Sequence, residues 1–586
     1  MIEQNDEKNV LQKLMPLLEL RFLLALNGHK ERSDFIYLVN KGEKIELINW
    51  NGKTRVLTTS FKFTMMSLHP HKPLIAYIQD TDGNENYFIY TFDYESNTTK
   101  KLCNNSLDNI TQIIWLQNDD LLFSGFNNTH YFISILKHDG KIISIYTTEK
   151  QILNMNYDHN NSLLAAAIGR NDTKIAIFDI KQMVFIKWME EDNQRSNFPT
   201  INSNGYIAYS SDLPDYDELV IKDITSSNLI HKFKIPGTVG NSIFDEDAIQ
   251  WIDNESLFLK IAKNAKISPY ILNIKEGSWE GPLTNLSIEK AIVTKNEITW
   301  IGSQLNEGFS LELYSNNVLV KIIDSEIIFN LSYESYWFSS FDKQNIHAWL
   351  VRTPNPQAPL LIYLHGGPTY AVRDSIEPFL LALALGGFTI FAINYRGSET
   401  FGAHYRDLNL GDMGGGDLLD VIYGVKFVKS LLGVKEPIRI FGESYGAYLA
   451  LMALSEYPFD WSSGIAWGAN IDLTYAYQTA NSHYKSFYKN FLGGTPEEKP
   501  LLYKERSPKT LIRNLKAPTL IIHGKNDSRI PIEPLQDLME YAKKNFLPIE
   551  CLINNDGHSS RDVDNVVKNI ISSILHLKNN VSEKEK

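Results

Sequence analysis

A serine hydroxyl attacks a carbonyl near neutral pH only when a neighbouring base takes its proton and a carboxylate orients that base. Three stretches of this chain supply such a set. Gly442-Glu443-Ser444-Tyr445-Gly446 lies between an apolar run, Ile438 to Phe441, and a helical stretch from Tyr448 to Ser455. A serine at a strand-to-helix turn is held in a strained conformation that lifts its hydroxyl above the sheet, and flanking glycines let the backbones pass closely. The apolar run Thr519 to His523 leads into His523-Gly524-Lys525-Asn526-Asp527-Ser528-Arg529, which puts Asp527 in the loop beyond a strand. Ile549 to Ile553 leads into Asn555-Asp556-Gly557-His558, which puts His558 in the next such loop. Serine, acid and histidine in this order at successive strand ends form a known arrangement for acyl transfer.

Other residues compete for these places. Asn526 and Asp556 are rivals of Asp527, while His523 and His365 are rivals of His558. His523, before a glycine at the end of an apolar strand, reads as structural. His365-Gly366-Gly367-Pro368 follows the apolar run Pro359 to Leu364. A glycine pair there lets a backbone N–H approach the site and, with the N–H of Tyr445, form a hole for a developing oxyanion. Asp412-Met413-Gly414-Gly415-Gly416-Asp417 resembles a phosphate cradle but lacks the preceding strand and the Lys-Ser/Thr pair. It reads as the start of the helix at Leu418, with Asp417 near the positive end. His69 and His71 have no partners at metal-ligand spacing, so neither metal nor cofactor is predicted.

These residues need a sheet to hold them. After about residue 330 strands alternate with helices: Tyr336 to Phe341, Ile346 to Val351, a helix near Ile376 to Leu385, Thr389 to Asn394, a helix over Leu418 to Leu432, and Gly464 to Trp467. That alternation predicts a mostly parallel sheet covered on both faces, an α/β-hydrolase domain over 326–586. Residues 18–325 read differently, as short β-runs punctuated by Asn, Asp and Gly. Units begin near Leu18, Phe63, Ile110, Ile152, Phe198, Ser242 and Leu286. Each pairs an inner with an outer strand, as in Leu74 to Gln79 with Tyr87 to Asp93. A period of roughly 40 to 47 residues predicts a β-propeller of about seven blades rather than a pair of sandwiches.

The 586 residues carry a formal net charge of −12, with 43% hydrophobic and 22% charged residues, which suits folded globular domains. No basic field is available for a phosphate backbone, so nucleic acid is not an expected partner. Cys103 and Cys551 alone form no disulfide framework. Met1 to Val10 lacks the basic start and apolar stretch of a secretory leader, and Leu14 to Leu26 is interrupted by Glu19 and Arg21. A cytoplasmic protein with no membrane partner is the expectation; a homo-oligomer is left open.

The motifs above, with Asn394-Tyr395-Arg396-Gly397-Ser398, resemble the prolyl oligopeptidase family of serine peptidases, closest to its acylaminoacyl-peptidase branch. The likeness covers about residues 335 to 575. It implies a propeller capping the hydrolase, residues 1–17 packing back on that domain, and Ser444, Asp527 and His558 as the triad. It further implies oxyanion donors at Gly367 and Tyr445, and Arg529 meeting a substrate carbonyl. His365 stands where the prolyl-oligopeptidase and dipeptidyl-peptidase branches carry a tyrosine. Glu190-Glu191 lacks the motif around the dipeptidyl-peptidase glutamate pair and reads as a solvated turn. The expected substrates are short peptides. A carboxylesterase or other acyl hydrolase could use the same triad, and a catalytically silent propeller interaction protein is the remaining reading. Segments Trp467 to Tyr477 and Tyr484 to Tyr488 are the expected source of a specificity pocket.

Overall fold

The computed structural model describes residues 2–20, 23–41, 44–58, 65–80, 87–103, 107, 109–189, 194–214, 216–240, 245–295, 297–325, 327–558 and 563–580. Leu23 to Ile323 form seven antiparallel sheets in sequence order, six of four strands and one of five, arranged as the blades of a β-propeller. The first blade comprises Leu23–Gly28, Phe35–Lys41, Lys44–Trp50 and Thr54–Thr58, and the last runs from Ser287–Thr294 to Val318–Ile323.

Alternation of side chains along each strand gives every blade two faces, and each face is dry only against a neighbour. The ring closes where Leu23, Phe35 and Tyr37 of the first blade pack with Ile292, Ile301 and Leu311 of the last. The runs read from sequence as inner and outer strands, such as Leu74–Asp80 with Tyr87–Asp93, are instead the second and third strands of their blades. They sit mid-sheet and are the most apolar. Fourth strands, such as Leu229–Lys234, are mostly exposed and carry little hydrophobic signal.

The second domain is one eight-stranded sheet. Its strands are β1 (Ser332–Ser339), β2 (Asn345–Arg352), β3 (Leu360–Leu364), β4 (Thr389–Asn394), β5 (Ile438–Glu443), β6 (Trp461–Trp467), β7 (Thr519–Gly524) and β8 (Ile549–Asn554), in the order 1-2-4-3-5-6-7-8. The two entry strands pair antiparallel, and from β4 to β8 the sheet is parallel. The principal helices are α1 (Ile2–Leu18), α2 (Pro378–Leu385), α3 (Gly416–Leu432), α4 (Tyr445–Glu456), α5 (Ser482–Leu492) and α6 (Val563–Asn579).

Period-two alternation divides the buried strand residues between two cores. Ile362, Leu364 and Ile440 face α3 and α4, whereas Leu361, Tyr363 and Phe441 face the opposite layer. There Val10, Leu14 and Leu17 of α1 pack with Leu380 and Leu381 of α2 and Ile574 and Leu577 of α6. The N-terminal helix, which precedes the propeller, thus lies on the hydrolase core.

The domains meet through polar contacts. Arg406 pairs with Asp212 at 2.7 Å and Arg373 with Glu289 at 2.7 Å. Arg195 pairs with Asp407, and the Ile376 N–H donates to Ser303 Oγ at 3.0 Å. Cys103 and Cys551 are both free thiols. Among the described residues no helix is long and apolar enough to cross a membrane.

Candidate active site

β5 ends at Glu443 and α4 begins at Tyr445, leaving Ser444 alone at the turn with φ 51° and ψ −115°. The helix starts three residues earlier than its hydrophobic pattern indicates. The flanking glycines have a steric reason. A Cβ on Gly442 would lie 2.1 Å from the Gly446 carbonyl oxygen, and one on Gly446 would lie 2.1 Å from that of Leu364. No L side chain fits either gap, so the elbow can pass between β3 and β5 only with glycine at both places.

The Ser444 hydroxyl lies 2.9 Å from His558 Nε2, and His558 Nδ1 lies 2.7 Å from Asp527 Oδ2. The other Asp527 oxygen accepts the N–H groups of Arg529 and Ile530, each at 2.9 Å. Burial pushes the Asp527 carboxyl up, but the adjacent His558, its hydrogen bond and the Ile530 N–H together hold it below the usual carboxylate range. An ionised Asp527 fixes the histidine with Nδ1 protonated and Nε2 free to take the serine proton.

The rivals lie elsewhere. The Asn526 amide donates to the Asn555 carbonyl at 2.8 Å, and Asp556 accepts from Asn565 at 3.3 Å. His523 is buried, with Nε2 3.1 Å from the Ile530 carbonyl oxygen, where it supports the Asp527 loop.

His365 is wholly buried below the Gly366-Gly367 loop. Its Nε2 meets Ser398 Oγ at 2.9 Å, its ring stacks on Tyr395 at 4.3 Å, and the Tyr395 hydroxyl donates to the His365 carbonyl at 2.7 Å. Burial pushes the imidazole down to about 4, so it is a neutral brace. A Cβ on Gly366 would lie 3.5 Å from Ser444 Cβ, so the loop runs against Ser444. Gly367 has φ +117°, a backbone turn that favours glycine.

Tyr445 heads α4, where the first-turn N–H groups lack helical acceptors. Its side chain is anchored too. The phenol donates to Asp417 and accepts from the Asn409 amide at 3.2 Å. Asp417, in the first turn of α3, also accepts the N–H groups of Leu418 at 2.8 Å and Gly414 at 3.2 Å. Burial nevertheless raises its carboxyl to about 6, outweighing those hydrogen bonds. The first turn of α3, at the end of the glycine-rich stretch, therefore clamps Tyr445 beside Ser444, a link its spacing in sequence did not reveal.

Arg529 is half-buried, two residues beyond Asp527. Its charge acts on His483 of α5, whose imidazole is pushed down to about 3 by burial, then by Arg170 and Arg529. His483 crosses the domain boundary: it stacks on Phe126 at 4.7 Å and meets the Tyr131 hydroxyl at 3.1 Å. Of the aromatic segments expected to shape a pocket, Trp467 packs on Phe379 at 4.9 Å and Phe487 on Phe491 at 4.7 Å. Glu190-Glu191 lies outside the described residues. Among the described residues no cluster of three or more His, Cys, Asp or Glu side chains could hold a metal.

Fold and site together define an α/β-hydrolase with a serine, histidine and aspartate in hydrogen-bonded sequence, capped by a seven-bladed propeller. Residues 376–583 match the prolyl oligopeptidase family. The chain is 26% identical over 318 residues to dipeptidyl-peptidase 5 of Schizosaccharomyces pombe, covering 50% of this chain and 45% of that one. It is 23% identical over 248 residues to the acylamino-acid-releasing enzyme of Rattus norvegicus, covering 40% and 33%. The chain thus spans less than half the length of either relative. In fold it is similar to a puromycin-hydrolyzing peptidase of Mycobacterium tuberculosis, with TM-score 0.84, 12% identity, and 97% and 96% of the two chains covered. It is also similar to an acylaminoacyl peptidase of Pyrococcus horikoshii, with TM-score 0.72, 16% identity and 97% of both chains covered.

Proposed function

We propose that this protein is a serine peptidase that hydrolyses short peptides through an acyl-enzyme on Ser444. The observation that carries the reading is the hydrogen-bonded chain from the Ser444 hydroxyl through His558 to a buried Asp527. In the proposed reaction Ser444 Oγ attacks the scissile carbonyl carbon while His558 Nε2 takes its proton. The carbonyl oxygen becomes an oxyanion, stabilised by the N–H groups of Gly367 and Tyr445. The tetrahedral intermediate collapses, the C–N bond breaks, and His558 returns the proton to the departing amine. Water then attacks the acyl-enzyme under the same base, releasing the acid and regenerating Ser444.

The propeller supports a peptide over a bulky lipid ester, since a closed ring above the site favours narrow, extended substrates. Dipeptidyl and acylaminoacyl relatives support the same class. Two measurements test the reading. A fluorophosphonate probe should label the wild-type chain at Ser444, located by mass spectrometry, and leave Ser444→Ala unlabelled. A ladder of peptides sharing one cleavage site should be cut with falling efficiency as length grows, while an intact folded protein is not cut. Labelling without cleavage of any peptide, but with cleavage of small esters, would assign the protein to the carboxylesterases instead.

A further inference from the structure

Between the domains lies a small, open pocket lined by Arg170, Arg195, Arg406, Glu399, Thr369 and Phe491 among others. It borders the candidate site, because Thr369 is the second residue beyond Gly367 and its carbonyl accepts the Glu399 N–H at 3.2 Å. Three arginines face this space. Two are neutralised: Arg195 pairs with Asp407 and, at 3.3 Å, with Asp212, and Arg406 pairs with Asp212 at 2.7 Å and Asp407 at 3.1 Å.

Arg170 differs. It follows the second strand of the fourth blade and reaches across the domain boundary, its guanidinium 5.2 Å from the centre of the Phe491 ring and 6.0 Å from that of Phe487. Among the described residues no carboxylate lies within ion-pair distance of it. Glu399 is the remaining acid of the pocket, 9% exposed, with Oε1 buried and lacking a hydrogen-bond partner. Burial raises the Glu399 carboxyl to about 8 against the pull of Arg406, Arg373 and Arg170. At neutral pH Glu399 is therefore chiefly a neutral acid with a proton to donate. Partial burial also lowers the Arg170 guanidinium to about 10, although the side chain keeps some exposure to solvent. A half-buried guanidinium with no carboxylate at ion-pair distance is open to a ligand that supplies one through a strong, forked interaction.

We infer that Arg170, with Glu399 as a hydrogen-bond donor beside it, binds a carboxylate on the leaving-group side of the substrate. In a peptide the free C-terminal carboxylate always lies on the amine side of the scissile bond. The same chemistry is available from an acidic side chain downstream of the cut. The inference rests on the peptidase reading and deepens it, since it makes the end of the peptide a recognition element.

The test uses the full-length protein and four peptides with one cleavage site: a free C-terminal acid, its amide, and versions of the amide with glutamate or glutamine downstream of the cut. Wild type should favour the acid over the amide by roughly 10- to 100-fold in kcat/KM, the scale of a lost charged hydrogen bond. In Arg170→Leu that ratio should fall to about one, and Arg170→Lys should retain part of it. Circular dichroism and thermal unfolding check that the variants are folded. A preference for the glutamate amide over the glutamine amide, with acid and amide equal, would assign the side chain as the source of the carboxylate. Equal rates for all four peptides in wild type, or a preference that survives Arg170→Leu, would overturn the inference and leave the peptidase reading standing. No cleavage of any peptide by a protein that still takes the fluorophosphonate label would overturn both.

Discussion

Apolar side chains of the propeller fall into separate clusters, each seated between neighbouring blades, such as Leu122, Ile133 and Phe178 in one and Leu219, Leu257 and Leu272 in another. In the hydrolase they gather into two large cores on either face of a single sheet. Propeller contacts are therefore local, with each blade drawing its strands from one contiguous stretch, while the hydrolase sheet joins β3 to β5 across the intervening β4. A ring of near-equivalent units tolerates change because each unit needs only its neighbours. A site assembled at the ends of non-consecutive strands does not. Ser444, Asp527 and His558 converge only because β5, β7 and β8 share one register, so chemistry concentrates where the packing is least forgiving.

The largest expected effect separates the domains by function. Ser444→Ala should lower turnover by several orders of magnitude with the unfolding transition unchanged, as loss of a triad nucleophile does. Retained turnover in that variant, measured on any substrate the wild type cleaves, would remove the site from the hydrolase altogether.

Ile362→Ala probes the packing contrast. This side chain is fully buried in the central strand of the sheet, and its loss should cost about 2 to 5 kcal/mol in chemical denaturation. A cost under 1 kcal/mol would mean that the hydrolase core relaxes as freely as a surface.

Two carboxylates near the site shift in opposite directions, which allows a test by pH. Asp527 is held low, while burial lifts Glu399 to about 8. Between the unfolded carboxylate range and pH 8 the folded chain keeps the Glu399 proton that the unfolded chain has lost. Stability contributed by this group is thus present at low pH and falls as pH rises through that window. Glu399→Gln, which cannot ionise, should gain on wild type between pH 5 and pH 8 by on the order of 2 to 4 kcal/mol. Parallel stability curves for the two proteins would show that Glu399 ionises normally.

Arg529→Ala should cost roughly 1 to 3 kcal/mol in kcat/KM for peptides and less for small esters, as expected for a charged hydrogen bond to a substrate carbonyl. Equal losses on both substrate types would make Arg529 a support for the Asp527 loop, where its N–H already serves. The smallest effect belongs to the propeller rim. Val320, 48% exposed on the last strand of the last blade, should tolerate Val320→Thr within about 0.5 kcal/mol.

Local chemistry was legible in the sequence wherever one residue type had to occupy one backbone position. Gly442 and Gly446 announce the elbow because no side chain fits there, and apolar runs ending in Asp527 and His558 announce strand ends. The propeller was legible through its period, with its mid-blade strands apparent and its exposed outer strands faint. The sequence favoured Asp527 over Asp556 by its place beyond a strand, and the tertiary structure supplied the contact, Asp527 Oδ2 lying 2.7 Å from His558 Nδ1 while Asp556 accepts from Asn565. Tertiary structure alone tied Asp417 to Tyr445, and it alone left Arg170 beside Glu399 with no counter-ion among the described residues. Composition counts charges, and only folding determines which of them meet, because pairing depends on distances between segments that the chain brings together hundreds of residues apart.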